Sequence, residues 1–249
     1  MTKKKQLPAY LKNLSDVKRI KVYNNDIVLE RESTSKRTQG QRDSKRGKVK
    51  AFSMKSWKRL AFIASNTSIE FSTMITLTYP KEYPLDGRES KKHLNSFMSV
   101  LRKAEGKHSY LWFMEFQKRG AVHYHILTTL MYIDHFWIAN KWFDIVDSGD
   151  VMHLSAGTRV ERIRKQNGGK HYAVWYSHKL RQKRLPDNAK DFGRWWGHSR
   201  DVKPEIQAEY TVFGLDSVLD SIGDWEYKEN VRGSIVSVLF NASKYIENE

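Results

Sequence analysis

Apolar residues recur along this chain with two periods, and the changes from one to the other mark its elements. From Ser53, Trp57, Leu60, Ala61 and Ala64 fall at i, i+3, i+4 and i+7, which predicts a helix with Ser53 as its N-cap. Phe71 to Tyr79 (FSTMITLTY) is β-branched and aromatic and predicts a strand stopped by Pro80. After a loop with Pro84 and Gly87, Leu94, Phe97, Met98 and Leu101 line a second helix that ends at Gly106. Tyr110 to Leu127 (YLWFMEFQKRGAVHYHIL) reads as two strands around a tight turn at Arg119-Gly120. Asp134 can cap a short helix containing Trp137, Ile138 and Trp142, and Thr158 to Ile163 (TRVERI) is a further strand. Asn167-Gly168-Gly169 then breaks the chain before a helical stretch from His171 to about Arg184, ended by Leu185-Pro186. Upstream, KRIKVYNNDIVLER predicts a strand or a short hairpin through Asn24-Asn25. Downstream, YTVFGL and SIVSVLF are short apolar runs that can add strands or pack back on the core. Helices interleaved with largely hairpin-connected strands imply an α+β fold, a central antiparallel sheet with helices on one face.

Charge changes the picture next. The 249 residues carry a formal net charge of +16, which favours a polyanionic partner. No apolar run approaches the roughly eighteen residues that span a bilayer, and MTKKKQLPAY has charge without an apolar segment behind it. The expected partner is therefore nucleic acid, with no membrane and a cytoplasmic setting. The absence of cysteine excludes disulfides and thiolate metal sites. Eight Trp, twelve Tyr and eleven Phe supply stacking surface as well as core. The charge is uneven. Residues 1–50 hold about ten net positives and read as a basic, partly flexible arm that tracks phosphates, whereas residues 205–249 hold about six net negatives and read as an acidic extension packed on the domain between them.

Two constellations carry chemistry. His123 and His125 are two apart on a strand and so share a face. If the turn holds three residues, Glu115 lies opposite His125 and Gln117 opposite His123. Two imidazoles with a carboxylate from Glu115, or the Gln117 amide as its substitute, suit Mg²⁺ or Mn²⁺, although the ligand types also admit zinc. Two same-face histidines alone are more often hydrogen-bonded or surface residues than ligands. The second constellation is Tyr172, Tyr176 and Lys179 at i, i+4 and i+7, continued by Lys183. The bland reading is an amphipathic helix with two core tyrosines and a snorkelling lysine. Ala173, Val174 and Trp175 nevertheless offer a separate apolar patch that frees the Tyr/Lys face to line a site. A phenol with a pKa of about 10 is ionised to about one part in a thousand at pH 7, a deficit of roughly 4 kcal/mol. A neighbouring cation, either a metal or Lys179, offsets that deficit. Metal, tyrosine and lysine in a basic aromatic protein converge on phosphoryl transfer from a nucleic acid to tyrosine.

With these residues in view, MITLTYP (74–80), EFQKRGAVHYH (115–125), Tyr176-x-x-Lys179 and GRWWG (193–197) together resemble the motifs of rolling-circle replication initiators, the HUH endonucleases of phages, plasmids and related single-stranded DNA elements. The likeness spans about residues 50–200, with histidines before tyrosine, and places the endonuclease domain at residues 51–204. It implies an RRM-like central sheet of about five strands, with the histidine strand in the middle and the tyrosine helix alongside. It further implies Mg²⁺ or Mn²⁺ on His123, His125 and Glu115, or Gln117 in its place. Tyr176 would attack the scissile phosphate at a replication origin, giving a 5′-phosphotyrosine link and a free 3′-OH for a host polymerase, with a helicase supplied by the host. Tyr172 would serve as a second tyrosine and Lys179 would balance the phosphate charge. Arg119, Lys183, Arg194 and Trp195 would contact DNA. One departure is Trp175, where the family often has Lys. Two other readings compete: a single-tyrosine HUH transposase, and a non-catalytic RRM-like module that binds single strands by stacking.

Overall fold

The structure is a computed structural model that describes residues 17–31, 51–164, 168–170, 172–174, 185–211, 226–228 and 236–240. It divides into two compact units, Met1–Asp43 with Glu205–Glu249, and Ser44–Pro204.

The first unit is a sheet shared by both ends of the chain. β1 (Val17–Tyr23) and β2 (Asp26–Arg31) form the hairpin expected around Asn24-Asn25. β8 (Ile206–Thr211), β9 (Glu226–Lys228) and β10 (Val236–Phe240) come from the other end, and the order is β8-β1-β2-β10-β9. Every neighbouring pair is antiparallel. Lys21 Nζ lies 2.6 Å from Glu30 Oε1, and Arg19 reaches both Glu30 and Glu209, so basic and acidic strands alternate favourably across this sheet.

The second unit carries the expected α+β architecture. In chain order it contains α1 (Met54–Asn66), β3 (Thr73–Thr78), α2 (Gly87–Glu105), β4 (Tyr110–Phe116), β5 (Val122–Thr128), α3 (His135–Ile145), α4 (Val151–Ala156), β6 (Thr158–Arg162) and β7 (Trp196–His198). The strands form an antiparallel sheet in the order β6-β3-β5-β4-β7, so β5 is central. Local chemistry explains the boundaries. Ser53 Oγ accepts from Ser56 N–H, Asp86 from Arg88 N–H and Asp134 from Phe136 N–H, so three helices start on side-chain caps.

Pleat alternation sends Val122, Tyr124 and Ile126 to one face of β5 and His123, His125 and Leu127 to the other. The first face is closed by α2 and α3. There Leu94, Phe97, Leu101, Ile138 and Trp142 are buried, and the Phe97 and Trp142 rings meet edge-on at 6.1 Å. Burial of each such side chain stabilises the fold by about 1.5–3 kcal/mol. A polar chain is built into this layer: Tyr124 Oη lies 2.6 Å from Ser90 Oγ, Ser90 Oγ 3.3 Å from Tyr79 Oη, and Tyr79 Oη 3.1 Å from His93 Nδ1. Burial raises the pKa of both phenols and keeps them as neutral donors.

The second face is also covered, which departs from the expected one-sided sheet. Helical residues 168–170 and 172–174 lie against it, with the Tyr172 ring 6.2 Å from that of Phe113. Gly168 and Gly169 were expected to break the chain before the helix, yet they belong to it. A Cβ on Gly169 would stand 2.9 Å from Phe71 Cβ, so the missing side chain lets the helix approach the sheet closely.

Two expectations follow from this packing. Phe97→Ala should lower stability by about 3–5 kcal/mol in urea unfolding, because a fully buried ring leaves a cavity. His93 is held below its ordinary range, chiefly by burial, with Glu89 pulling the other way. The unfolded chain therefore gains a proton at about pH 6.5 that the folded chain resists, and stability should fall as pH drops below that point. Thermal unfolding between about pH 7.5 and 5 should show a shallower fall for His93→Gln than for the unaltered protein.

Candidate metal centre

The site is built from the β4–β5 hairpin. Lys118, Arg119 and Gly120 form its turn, closed by Gln117 N–H on Ala121 O and Gly120 N–H on Gln117 O, with Gly120 at φ 89°. The turn thus holds the three residues expected, but the register differs. Glu115 lies opposite His123, Phe113 opposite His125, and Gln117 opposite Ala121. Three turn residues between Gln117 and Ala121 dictate this pairing, and the expected one would have needed five. A slip of two residues preserves the face of every side chain, so the cluster survives the correction.

Glu115 Oε1 lies 3.4 Å from His123 Nδ1 and 3.5 Å from His125 Nε2. One ligand atom from each of the three residues lies within 4.8 Å of the others. Glu115 is 6% exposed and His125 3%, so the carboxylate and one imidazole are nearly dry. Thr76, opposite His125 on β3, places Oγ1 3.2 Å from His125 Nδ1. With Nδ1–H donating to that hydroxyl, the Nε2 lone pair points at Glu115, an arrangement that calls for a cation between them. His123 Nε2 is buried without a hydrogen-bond partner, a second sign that the donor set is unsatisfied by protein alone. Two nitrogens and a carboxylate with no sulfur fit Mg²⁺, Mn²⁺ or Zn²⁺ by donor chemistry. This buried Glu/His group can hold a metal ion.

The aromatic surroundings fix its rings. Phe113 stacks on His125 at 5.1 Å and 25°, and Tyr172 meets His125 edge-on at 6.1 Å. Tyr172 is thereby the one expected tyrosine among the described residues, and it stands beside the cluster. Tyr176, Lys179 and Lys183 lie outside the described residues.

The remaining expected residues separate. Gln117 shares the cluster's face, but its Oε1 accepts from Arg119 Nε at 2.9 Å, which leaves Glu115 as the carboxyl donor of the group. Arg119 was expected on DNA; its guanidinium instead donates to the carbonyls of Tyr79, Pro80 and Lys81 and lies over the Tyr83 ring, tying the turn to the end of β3. Trp195 was expected to contact DNA as well, yet it is 2% exposed and packs on Phe52 and Phe116, so no base can stack on it. The apolar demand of the β7 edge outweighs the charged neighbours that made GRWWG look like surface. Arg194 is exposed. Thr76 was not singled out from sequence. Its signal was the alternation within MITLTYP, which puts Thr76 and Thr78 on the face of the histidines they oppose.

An antiparallel sheet whose central strand presents two histidines and a neighbouring carboxylate is the frame of a replication initiator of the Rep type. The family model for replication-associated proteins of the ORF2 type matches residues 72–210, more than half of the chain, and the protein belongs to that family. No curated protein and no solved structure matches the chain. Its role is that of a replication initiator, and among the described residues no helix is long and apolar enough to cross a membrane.

Mn²⁺ titration followed by electron paramagnetic resonance should show binding that His125→Ala and Glu115→Ala each remove. Thr76→Val should weaken binding by about 10- to 100-fold, because it leaves the ligands in place and removes only the group that orients His125.

Proposed function

We propose that the protein initiates rolling-circle replication as an HUH endonuclease, nicking single-stranded DNA at an origin through a tyrosine and later rejoining the strand. The observation that carries this reading is the placement of Tyr172 beside His125 and the Glu115/His123/His125 cluster, within a family of replication-associated proteins. In this reading Tyr176, one helical turn after Tyr172 in sequence, is the first nucleophile and Tyr172 the second.

The residues divide the work. The phenolic oxygen of Tyr176 attacks the scissile phosphorus and its proton leaves to solvent. The P–O3′ bond breaks, the 3′ oxygen takes up a proton, and the 5′ side stays attached as a phosphotyrosine. One phosphodiester replaces another, so the bond free energy is retained and attack by a 3′-OH can reverse the step. His123, His125 and Glu115 would hold Mg²⁺ or Mn²⁺, which when bound would polarise a phosphate oxygen and stabilise the charge of displacement. Thr76 orients His125 for that task. Lys179 offsets charge on the phenolate or the phosphate. Residues 51–204 form the endonuclease domain, the basic arm at 1–50 supplies phosphate contacts, and strands of the acidic extension at 205–249 pair with those of the arm. Lys183 and Arg194 contribute further positive charge toward DNA. The free 3′-OH then serves a host polymerase, with a host helicase opening the duplex, in the cytoplasm.

Incubation with origin-bearing single-stranded DNA and Mn²⁺ should give a covalent adduct by mass spectrometry, and EDTA should abolish it. Tyr176→Phe should remove the first adduct; if Tyr176→Phe and Tyr172→Phe both leave it unchanged, the nucleophile assignment is wrong. His123→Ala with His125→Ala should abolish the adduct while most DNA affinity remains. Tight binding without metal dependence or adduct would favour a non-catalytic module, and joining of excised element ends would favour a transposase.

A further inference from the structure

Lys170 is two residues before Tyr172 and only 6% exposed, yet its ammonium group is 2.6 Å from Glu70 Oε1, a residue one hundred positions earlier. Glu70 directly precedes Phe71, the residue against which Gly169 packs, and Ile163 also lies 3.1 Å from the Cβ position of Gly169. Ile163 N–H in turn donates to Ser72 O at 2.8 Å, so the segment that enters the helix is hydrogen-bonded to the approach to β3. An ion pair, a glycine-sized contact and a backbone hydrogen bond therefore converge on residues 70–72. All three lie immediately before the strand that carries Thr76.

We infer that Glu70 and Lys170 are positioning residues that set the distance and rotation of the Tyr172-bearing helix relative to the histidine strand. A lysine this buried has no purpose as surface charge, and the pairing is directional: Nζ reaches one carboxylate on the sheet side. The helix is otherwise held by apolar contacts of Tyr172 and Ala173, which resist separation more than sliding. The ion pair supplies the missing constraint along the helix, and Gly169 sets how near it lies. Because nucleophile placement within about 1 Å governs the rate of an in-line displacement, this constraint acts on chemistry more than on binding.

The inference rests on the proposed tyrosine chemistry for its activity arm, so the experiment has a second, metal-free arm. Glu70 is half exposed, so Glu70→Gln keeps an acceptor and should leave the fold intact. It should slow adduct formation by about 10- to 100-fold with oligonucleotide Kd changed less than about twofold, and Glu70→Asp should recover most of the rate. Gly169→Ala should act in the same direction by pushing the helix outward. In the metal-free protein, hydrogen exchange should rise in residues 168–174 of Glu70→Gln while β3, β4 and β5 keep their protection. Unchanged exchange in residues 168–174 overturns the inference, whatever the activity. So does a Glu70→Gln protein that forms adduct at the normal rate, or one in which DNA affinity and protection of the whole sheet fall together. Failure of the unaltered protein to form any adduct would overturn the proposed function instead, and the exchange result would still decide the role of the ion pair.

Discussion

Glu115 and His123 face one another across the β4–β5 ladder, and that pairing holds the site together. The carboxylate comes from one strand and the imidazoles from its neighbour, so their spacing is set by the hydrogen-bonded ladder and not by flexible side-chain reach. β3 adds Thr76 from the other side, which makes three adjacent strands contributors to one cluster only a few ångströms across. Because β5 is central, none of these groups depends on an edge strand. Arg119 reinforces the same arrangement by binding the turn to the carbonyls at the end of β3.

The opposite face shows why the cluster can be both buried and ordered. Tyr124 stands between His123 and His125 in sequence and points away from them into the layer covered by α2, where Ser90 receives its hydroxyl. A strand with polar ligands on one side and a hydrogen-bonded phenol on the other cannot rotate or slip without exposing unsatisfied groups. The ligand face thus draws its rigidity from packing that never touches a ligand.

Much of this was legible in the sequence. The stripes of α1 and α2, the caps at Ser53 and Asp134, and the Asn24-Asn25 hairpin follow from local periodicity and turn chemistry, and each lies where local preference and tertiary packing agree. The shared face of Glu115, His123 and His125 was legible for the same reason, since alternation survives a register error of two. The pairing itself was misjudged because it depends on counting turn residues between hydrogen-bonded partners. Trp195 and Arg119 were misjudged because charge and aromaticity do not reveal whether a residue meets solvent or its own backbone. Glu70 and Lys170 gave no local signal at all; a contact across one hundred residues is a property of the fold.

The terminal sheet has a consequence for the order in which the chain can be built. β1 and β2 pair with β8 and β10, and Arg19 meets Glu209 across 190 residues of sequence. During synthesis the β1–β2 hairpin emerges first but has no neighbours until the whole of Ser44–Pro204 has been made. That inner unit contains all strands of its own sheet and can close while still attached to the ribosome. The outer sheet is then the last to assemble, and its early hairpin must wait with open edges. Arg19 and Lys21 on β1 suit that interval, because basic side chains discourage association with other nascent strands until the acidic C-terminal strands arrive.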